Sequence, residues 1–315
     1  MIATVTPNPC LDKTVAVEKF DADATNRVDV LREDLAGKGI NVAKALRALG
    51  ADVLCAGFDF AKGDAGLFAE ELSALGISHD LVPRAGALRV CTKVFDQSTR
   101  RMIEFNERGA TATEEDVDRL LDAVERVAKR SAYLTLCGSL PPGFPRDFYA
   151  RCVRRTHVAA PQCRVIVDAE GEVLRLALAE HPFMIKPNIH ELESTFALAI
   201  GSEAELDARA REILERFSLG MICVSMGGDG AYLADRSSAY IAKPARVTVR
   251  SLQGAGDCMV AGICYALQQG CDAADVLRYG VATSGAAVQY EGTQVGTRQD
   301  VDELLRTGIS VRRIG

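Results

Sequence analysis

No stretch of the 315-residue chain approaches the roughly 18–20 consecutive apolar residues of a membrane span, which excludes a transmembrane helix. The start, Met1-Ile2-Ala3-Thr4-Val5-Thr6, lacks a basic n-region and a long apolar h-region, so a cytoplasmic protein is expected. There is no basic excess: 37 Lys and Arg stand against 43 Asp and Glu, a net charge of −6, which argues against a nucleic-acid partner. The ten cysteines form no C-x-x-C pair, and Cys55, Cys137 and Cys223 sit inside strand-like apolar runs, as reduced core residues do. His79, His157, His181 and His190 show no metal-ligand spacing, which argues against a structural zinc site built on histidines. Two nucleotide signatures are missing as well. A Walker A loop ending at Gly37-Lys38 would need glycine where Arg32 stands, and a Rossmann G-x-G-x-x-G begun at Gly254 fails at Met259. No internal repeat, low-complexity tract or flexible linker appears.

What is present is a globular composition, 48% hydrophobic and 25% charged, long enough for one large α/β domain with an insertion. Strand-like runs alternate with helical patterns: Asp52–Phe58 then 64–75, Ala132–Cys137 then 146–157, and Arg164–Asp168 then 172–179. Helices near 189–199 and 203–216 precede a run over Met221–Met226. This order predicts a mostly parallel sheet with helices on both faces and ligands at the carboxyl ends of its strands. Residues 13–35 and 89–106 instead read as strands without intervening helices, Thr14–Val17 and Val90–Phe95 being the clearest pieces. They predict a small sheet projecting over the site as a lid.

Gly254-Ala255-Gly256-Asp257, followed by the apolar Cys258–Ile263, is the most informative segment. Glycines let backbone N–H groups converge on one point, and a helix starting there adds the positive end of its dipole. Such a corner holds an anion. Asp257 is the wrong charge to grip phosphate, but it is suited to taking a proton beside one; a plain helix N-cap is the competing explanation. Toward the N-terminus, Asn8-Pro9-Cys10-Leu11-Asp12 is expected to end the first strand, and Gly37-Lys38-Gly39-Ile40-Asn41 to open a helix. Asp12 and Asn41 suit sugar hydroxyls, and Lys38 between glycines can reach a phosphate. In Lys186-Pro187-Asn188-Ile189-His190-Glu191, Asn188 and Glu191 stand one helical turn apart. They fit either a hydrated Mg²⁺ or a capping box, with His190 a solvated neighbour.

Taken in order, N-P-x-x-D, G-K-G-I-N, G-S-L-P-P-G, K-P-N-x-x-E, V-S-M-G-G-D-G and G-A-G-D span residues 1 to about 297. This order resembles the PfkB carbohydrate kinases, the ribokinase-like family. Thr6–Pro9, Gly37–Asn41 and Thr283-Ser284-Gly285 are similar to the 1-phosphofructokinase and tagatose-6-phosphate kinase branch.

The resemblance implies a single three-layer ribokinase-like domain over residues 1–315 with the lid, and ATP and Mg²⁺ as cofactors. It implies Asp257 as base, with the backbone N–H groups of Gly254, Ala255 and Gly256 as anion hole. Asn188 and Glu191 would organise Mg²⁺ through water, and Lys186, Ser225, Gly227 and Gly230 would border ATP. Asp12, Gly37, Lys38, Asn41 and Ser139 would hold the acceptor. In loose phosphoryl transfer the base acts late, so Asp257 needs no large pKa rise.

Arg27, Arg89 and Lys93 add cations around the acceptor, more than a neutral sugar needs and apt for a sugar phosphate. The expected reaction is phosphorylation of D-fructose 1-phosphate at its carbon-6 hydroxyl, with tagatose 6-phosphate or fructose 6-phosphate as alternative acceptors. A non-catalytic sugar-phosphate sensor is the reading from another class, disfavoured because a binding module has no use for a proton acceptor. Departures from the family pattern are Cys258 after the aspartate, Leu252-Gln253 before the glycines, Cys91 where asparagine is frequent, and Asp59–Gly63 without a glycine pair. The lid is expected to close over the acceptor and exclude water. Its strand edges also allow a homodimer.

Overall fold

The computed structural model describes residues 1–62 and 65–314. The first strand, β1 (Ile2–Thr6), is buried throughout, with Ile2, Ala3 and Val5 apolar and the small Thr4 and Thr6 between and after them, as suits a strand covered on both faces. The chain then leaves the body: β2 (Cys10–Val17) and β3 (Asp29–Ala36) pair antiparallel before α1 (Lys38–Ala48) returns to it. Next come β4 (Val53–Lys62), β5 (Ala65–Gly66), α2 (Leu67–Ala74) and β6 (Ser78–Arg84), after which β7 (Arg89–Asp96) and β8 (Arg101–Asn106) complete the second sheet. The alternation resumes with α3 (Glu114–Ala128), β9 (Tyr133–Cys137), α4 (Phe148–Ala159), β10 (Arg164–Asp168) and α5 (Gly171–Leu178). It continues through β11 (Met184–Ile185), α6 (Ile189–Phe196), α7 (Glu203–Arg216) and β12 (Met221–Ser225). The chain closes with β13 (Ala231–Asp235), β14 (Ala239–Lys243), α8 (Ala255–Gln268), α9 (Ala273–Ala287), α10 (Arg298–Thr307) and β15 (Ser310–Arg313).

The main sheet runs β6-β4-β1-β9-β10-β11-β12-β13-β14-β15, parallel from β6 to β12 and antiparallel beyond, with β5 hooked to the end of β4. Helices α1, α8, α9 and α10 pack in succession, as do α3, α4, α5 and α6; α1 and α3 both lie on β1 and β4. These are the two helical layers, and the apolar inward faces of both join the sheet in one continuous core. Close approach of α1 to β1 depends on Gly39, where a Cβ would fall 2.5 Å from the carbonyl oxygen of Val5. Among the described residues no helix is long and apolar enough to cross a membrane, and all ten cysteines are free of disulfides.

The second sheet has the order β3-β2-β7-β8, with β2 and β7 parallel and both outer pairs antiparallel. It is the expected lid, with two corrections. Asp12 does not end the first strand: β1 stops at Thr6, the Asn8-Pro9 pair turns the chain, and Asp12 lies within lid strand β2. The lid therefore starts at Cys10 rather than residue 13, because proline at 9 supplies no N–H to either sheet and marks the switch between them. Asp59–Lys62 extend β4 rather than forming a loop, while Gly63, and Asp64 at the start of the expected 64–75 helix, lie outside the described residues.

Candidate active site

A cavity of about 1180 Å³ lies between the lid and the carboxyl ends of β1, β9 and β10. Period-two alternation aims Cys10, Asp12, Arg89, Cys91 and Lys93 into it from β2 and β7. Gly37, Lys38 and Asn41 enter from the start of α1, Ser139 from the loop after β9, and Gly254 from the start of α8. One space thus gathers most of the expected acceptor residues together with the glycine corner.

At that corner Gly254 is left-handed, φ 71°, which a side chain would strain, and the helix begins at Ala255. Asp257 occupies the first turn and is 6% exposed. Burial pushes its carboxyl up to about 6, although Lys38 pulls the other way. At neutral pH the group remains mostly ionised, as a base must be. Its Oδ2 accepts a 2.8 Å hydrogen bond from Asn41 Nδ2. Asn41 therefore orients the carboxylate, and its own Oδ1 is buried without a partner.

Beneath the corner Asp168, at the end of β10, sits between Lys38 Nζ and Lys186 Nζ, each at 3.4 Å. Burial alone would raise Asp168, but the two lysines outweigh it and hold the carboxyl below its ordinary range. Asp168 in turn raises Lys38, with smaller help from Asp257 and Glu191. Lys186 is 3% exposed, and a Cβ on Gly256 would lie 3.6 Å from its ammonium, so this charge backs the glycine corner from inside.

The chain matches the family model for pfkB family carbohydrate kinases over residues 6–300. It is 34% identical to a 1-phosphofructokinase of Rhodobacter capsulatus over 307 residues, 97% of this chain and 96% of that protein. It is 29% identical to an ATP-dependent 6-phosphofructokinase isozyme 2 of Mycobacterium tuberculosis over 321 residues, covering 100% of this chain and 91% of the other. Among solved structures it superimposes on Escherichia coli phosphofructokinase-2 in complex with potassium with a TM-score of 0.89, at 26% identity, over 97% of this chain and 98% of that one. The chain belongs to the pfkB family of carbohydrate kinases. It is a sugar-kinase phosphotransferase.

Within this kinase, several side chains have partners that the sequence does not reveal. Lys93 is buried and bonded to Asp12 Oδ2 at 2.8 Å and to Gln253 Oε1 at 2.9 Å, so its charge is balanced and it ties the lid to the residue before the glycine corner. Arg89 donates to the carbonyls of Asn8, Pro9 and Glu107 from Nε, Nη1 and Nη2, bracing the turn between the sheets. Two of its five N–H groups remain for a ligand. Asn188 and Glu191 form a reciprocal capping box at the start of α6, each bonded to the other's backbone N–H at 2.8 Å. Glu191 Oε1 takes no hydrogen bond from any described residue.

Arg27 departs from expectation: it is exposed on the segment leading into β3 and does not line the cavity, because β2 carries the chain away from it before the turn. Ser225 ends β12, Gly227 starts the single 3₁₀ turn over Gly227–Asp229, and Gly230 precedes β13; this group lies outside the cavity lining, on the other side of β10. Asp168, Gln253 and Arg108 are site residues that sequence reasoning missed. Asp168 had a signal, a carboxylate ending the apolar run Val165-Ile166-Val167 at a strand's carboxyl end. Arg108, past the end of β8, had none.

Proposed function

We propose that this kinase transfers the γ-phosphoryl group of ATP to a ketohexose phosphate, foremost the carbon-6 hydroxyl of D-fructose 1-phosphate, giving D-fructose 1,6-bisphosphate. The observation that carries the reading is a buried carboxylate at the glycine-rich start of α8, held by Asn41, which itself lines the cavity together with Gly254, Lys38, Arg89 and Arg108. Asp257 accepts the proton of the attacking hydroxyl as the new P–O bond forms and the bond to the β-phosphate oxygen breaks. The N–H groups of Gly254, Ala255 and Gly256, with the dipole of α8, stabilise charge on the transferred group; one such donor is typically worth about 3–4 kcal/mol. Asp12 and the orphaned Asn41 Oδ1 are acceptors for sugar hydroxyls. The spare N–H groups of Arg89 and the charge of Arg108 suit the phosphate the acceptor already carries.

On the nucleotide side, the hard oxygen donors Glu191 and Asn188 fit Mg²⁺ held through water, and the uncommitted Glu191 Oε1 supports that fit. When bound, the ion neutralises phosphate charge. Lys186 lends its charge to the corner from inside, and Ser225, Gly227 and Gly230 offer small residues and backbone beside ATP.

A coupled assay of ADP release with ATP and Mg²⁺ tests the choice of acceptor by comparing kcat/KM for fructose 1-phosphate, tagatose 6-phosphate, fructose 6-phosphate and unphosphorylated fructose. Preference for fructose 1-phosphate is expected. Preference for a 6-phosphate would transfer the assignment to the sister activity, favoured by Cys91 standing where asparagine is frequent, and absence of turnover with all four would place the acceptor outside these sugars.

A further inference from the structure

Cys10, Asp12 and Cys91 are all buried, and one ligand atom from each lies within 4.8 Å of the others. Strands β2 and β7 place Asp12 opposite Cys91 and Cys10 opposite Arg89, so all four side chains share the face that roofs the cavity. The two thiols are thus diagonal neighbours across the pair. Diagonal positions in a sheet stand about 7–8 Å apart at Cα, beyond ordinary disulfide reach, whereas a metal ion bridges such a gap. Zn–S and Zn–O bond lengths put tetrahedral ligands about 3.4–3.8 Å apart. The Cys10 thiol donates to Asp12 Oδ1 at 3.4 Å, a separation that also falls within that spacing.

The surroundings suit such an ion. Asp12 Oδ2 is held by Lys93, which fixes the carboxylate with Oδ1 toward Cys10, as an outer-shell partner orients a metal ligand. Two thiolates and a carboxylate around a divalent cation carry one net negative charge, and Arg89 and Lys93 stand beside it. Neither a phosphate nor a sugar hydroxyl explains paired thiols here. We propose that Cys10, Asp12 and Cys91 form a site for a thiophilic divalent cation of the Zn²⁺ class, whose binding excludes the acceptor from Asp12. The exclusion rests on the kinase reading given above; the metal site does not.

The reduced, chelator-treated full-length protein should be titrated with Co²⁺ and then Zn²⁺. Saturation at one equivalent is expected, with a near-ultraviolet thiolate-to-cobalt absorption of two-thiolate intensity that Zn²⁺ abolishes. The Cys10→Ala/Cys91→Asn double variant should lose that absorption, and Asp12→Asn should weaken affinity by more than about tenfold. In the unmodified protein, Zn²⁺ should protect Cys10 and Cys91 from alkylation, mapped by mass spectrometry, so the outcome does not depend on a variant that folds. In the kinase assay Zn²⁺ should raise the acceptor KM in proportion to its free concentration and leave kcat unchanged. Absence of the absorption, its persistence in the double variant, or failure of protection would overturn the site. So would a Cys10–Cys91 disulfide formed in air without metal binding. Inhibition that does not compete with the acceptor would overturn the exclusion while leaving the metal site standing.

Discussion

Asp257 is a carboxylate whose environment has moved its pKa toward the working pH. A base must be deprotonated to act, so a group raised to about 6 gives an acid limb: kcat/KM should fall as pH drops through about 6. Asp257→Asn should remove that limb and cost about 10²–10⁴ in kcat. Asn41 donates to the charged form and so holds the pKa down. Asn41→Ala should move the limb to higher pH and lower kcat at neutral pH, both read from a pH–rate profile; a limb that stays in place would deny Asn41 its orienting role. Glycine-rich spacing marks Asp257, Lys38 and Asn41 as candidates, with a plain helix N-cap left open for Asp257. Their mutual bonds could not be read from it, because a hydrogen bond between positions so far apart in the chain is set by how α1 packs on α8, which no local pattern encodes. Asn188 and Glu191 illustrate the opposite limit: the same spacing serves a cap and a metal site, and the capping box does form.

At the scale of elements, the lid and the body meet through Lys93. Its charge-assisted bond to Gln253 joins β7 to the segment before α8. Such bonds are worth about 1.5–3 kcal/mol, so Gln253→Val should lower acceptor kcat/KM about tenfold by loosening the lid. The KM for ATP and the Tm should change little, since the bond lies in neither the nucleotide side nor the core; steady-state kinetics and thermal unfolding check both. An equal loss for ATP would place Gln253 in general folding instead. The second lid segment was legible over its whole expected length, 89–106, because Val90–Phe95 is a clear β-former bounded by polar turns. The first was misplaced at Cys10, since buried polar and apolar residues mix in Cys10–Val17 and only the turn at Pro9 separates it from β1.

For the whole molecule, alternating strands and helices were enough to foresee a parallel sheet between two helical layers, and the three antiparallel strands β13, β14 and β15 were not foreseen. The outer face of the lid leaves Val30 54% and Phe105 52% exposed, next to a buried cluster of Val15, Val17 and Val94. A second copy of the chain seated on this face would withdraw the apolar surface of the open four-stranded sheet from water. Sedimentation should find a dimer, and Val30→Glu/Phe105→Glu should yield a monomer with weakened acceptor binding; a monomeric unmodified protein would rule that arrangement out.

The lid's parallel pair also sets an order of assembly. Between β2 and β7 in the chain lie β3, α1, β4, β5, α2 and β6, so Cys10 meets Arg89 across that whole unit. Closing so long a loop costs entropy before any contact repays it. The lid is therefore expected to be late in folding and early in opening, with hydrogen exchange fastest in β3 and β8, whose outer edges pair with no other strand among the described residues. The roof of the acceptor site is in this sense the part of the fold held most loosely, so acceptor binding and lid stability should rise and fall together.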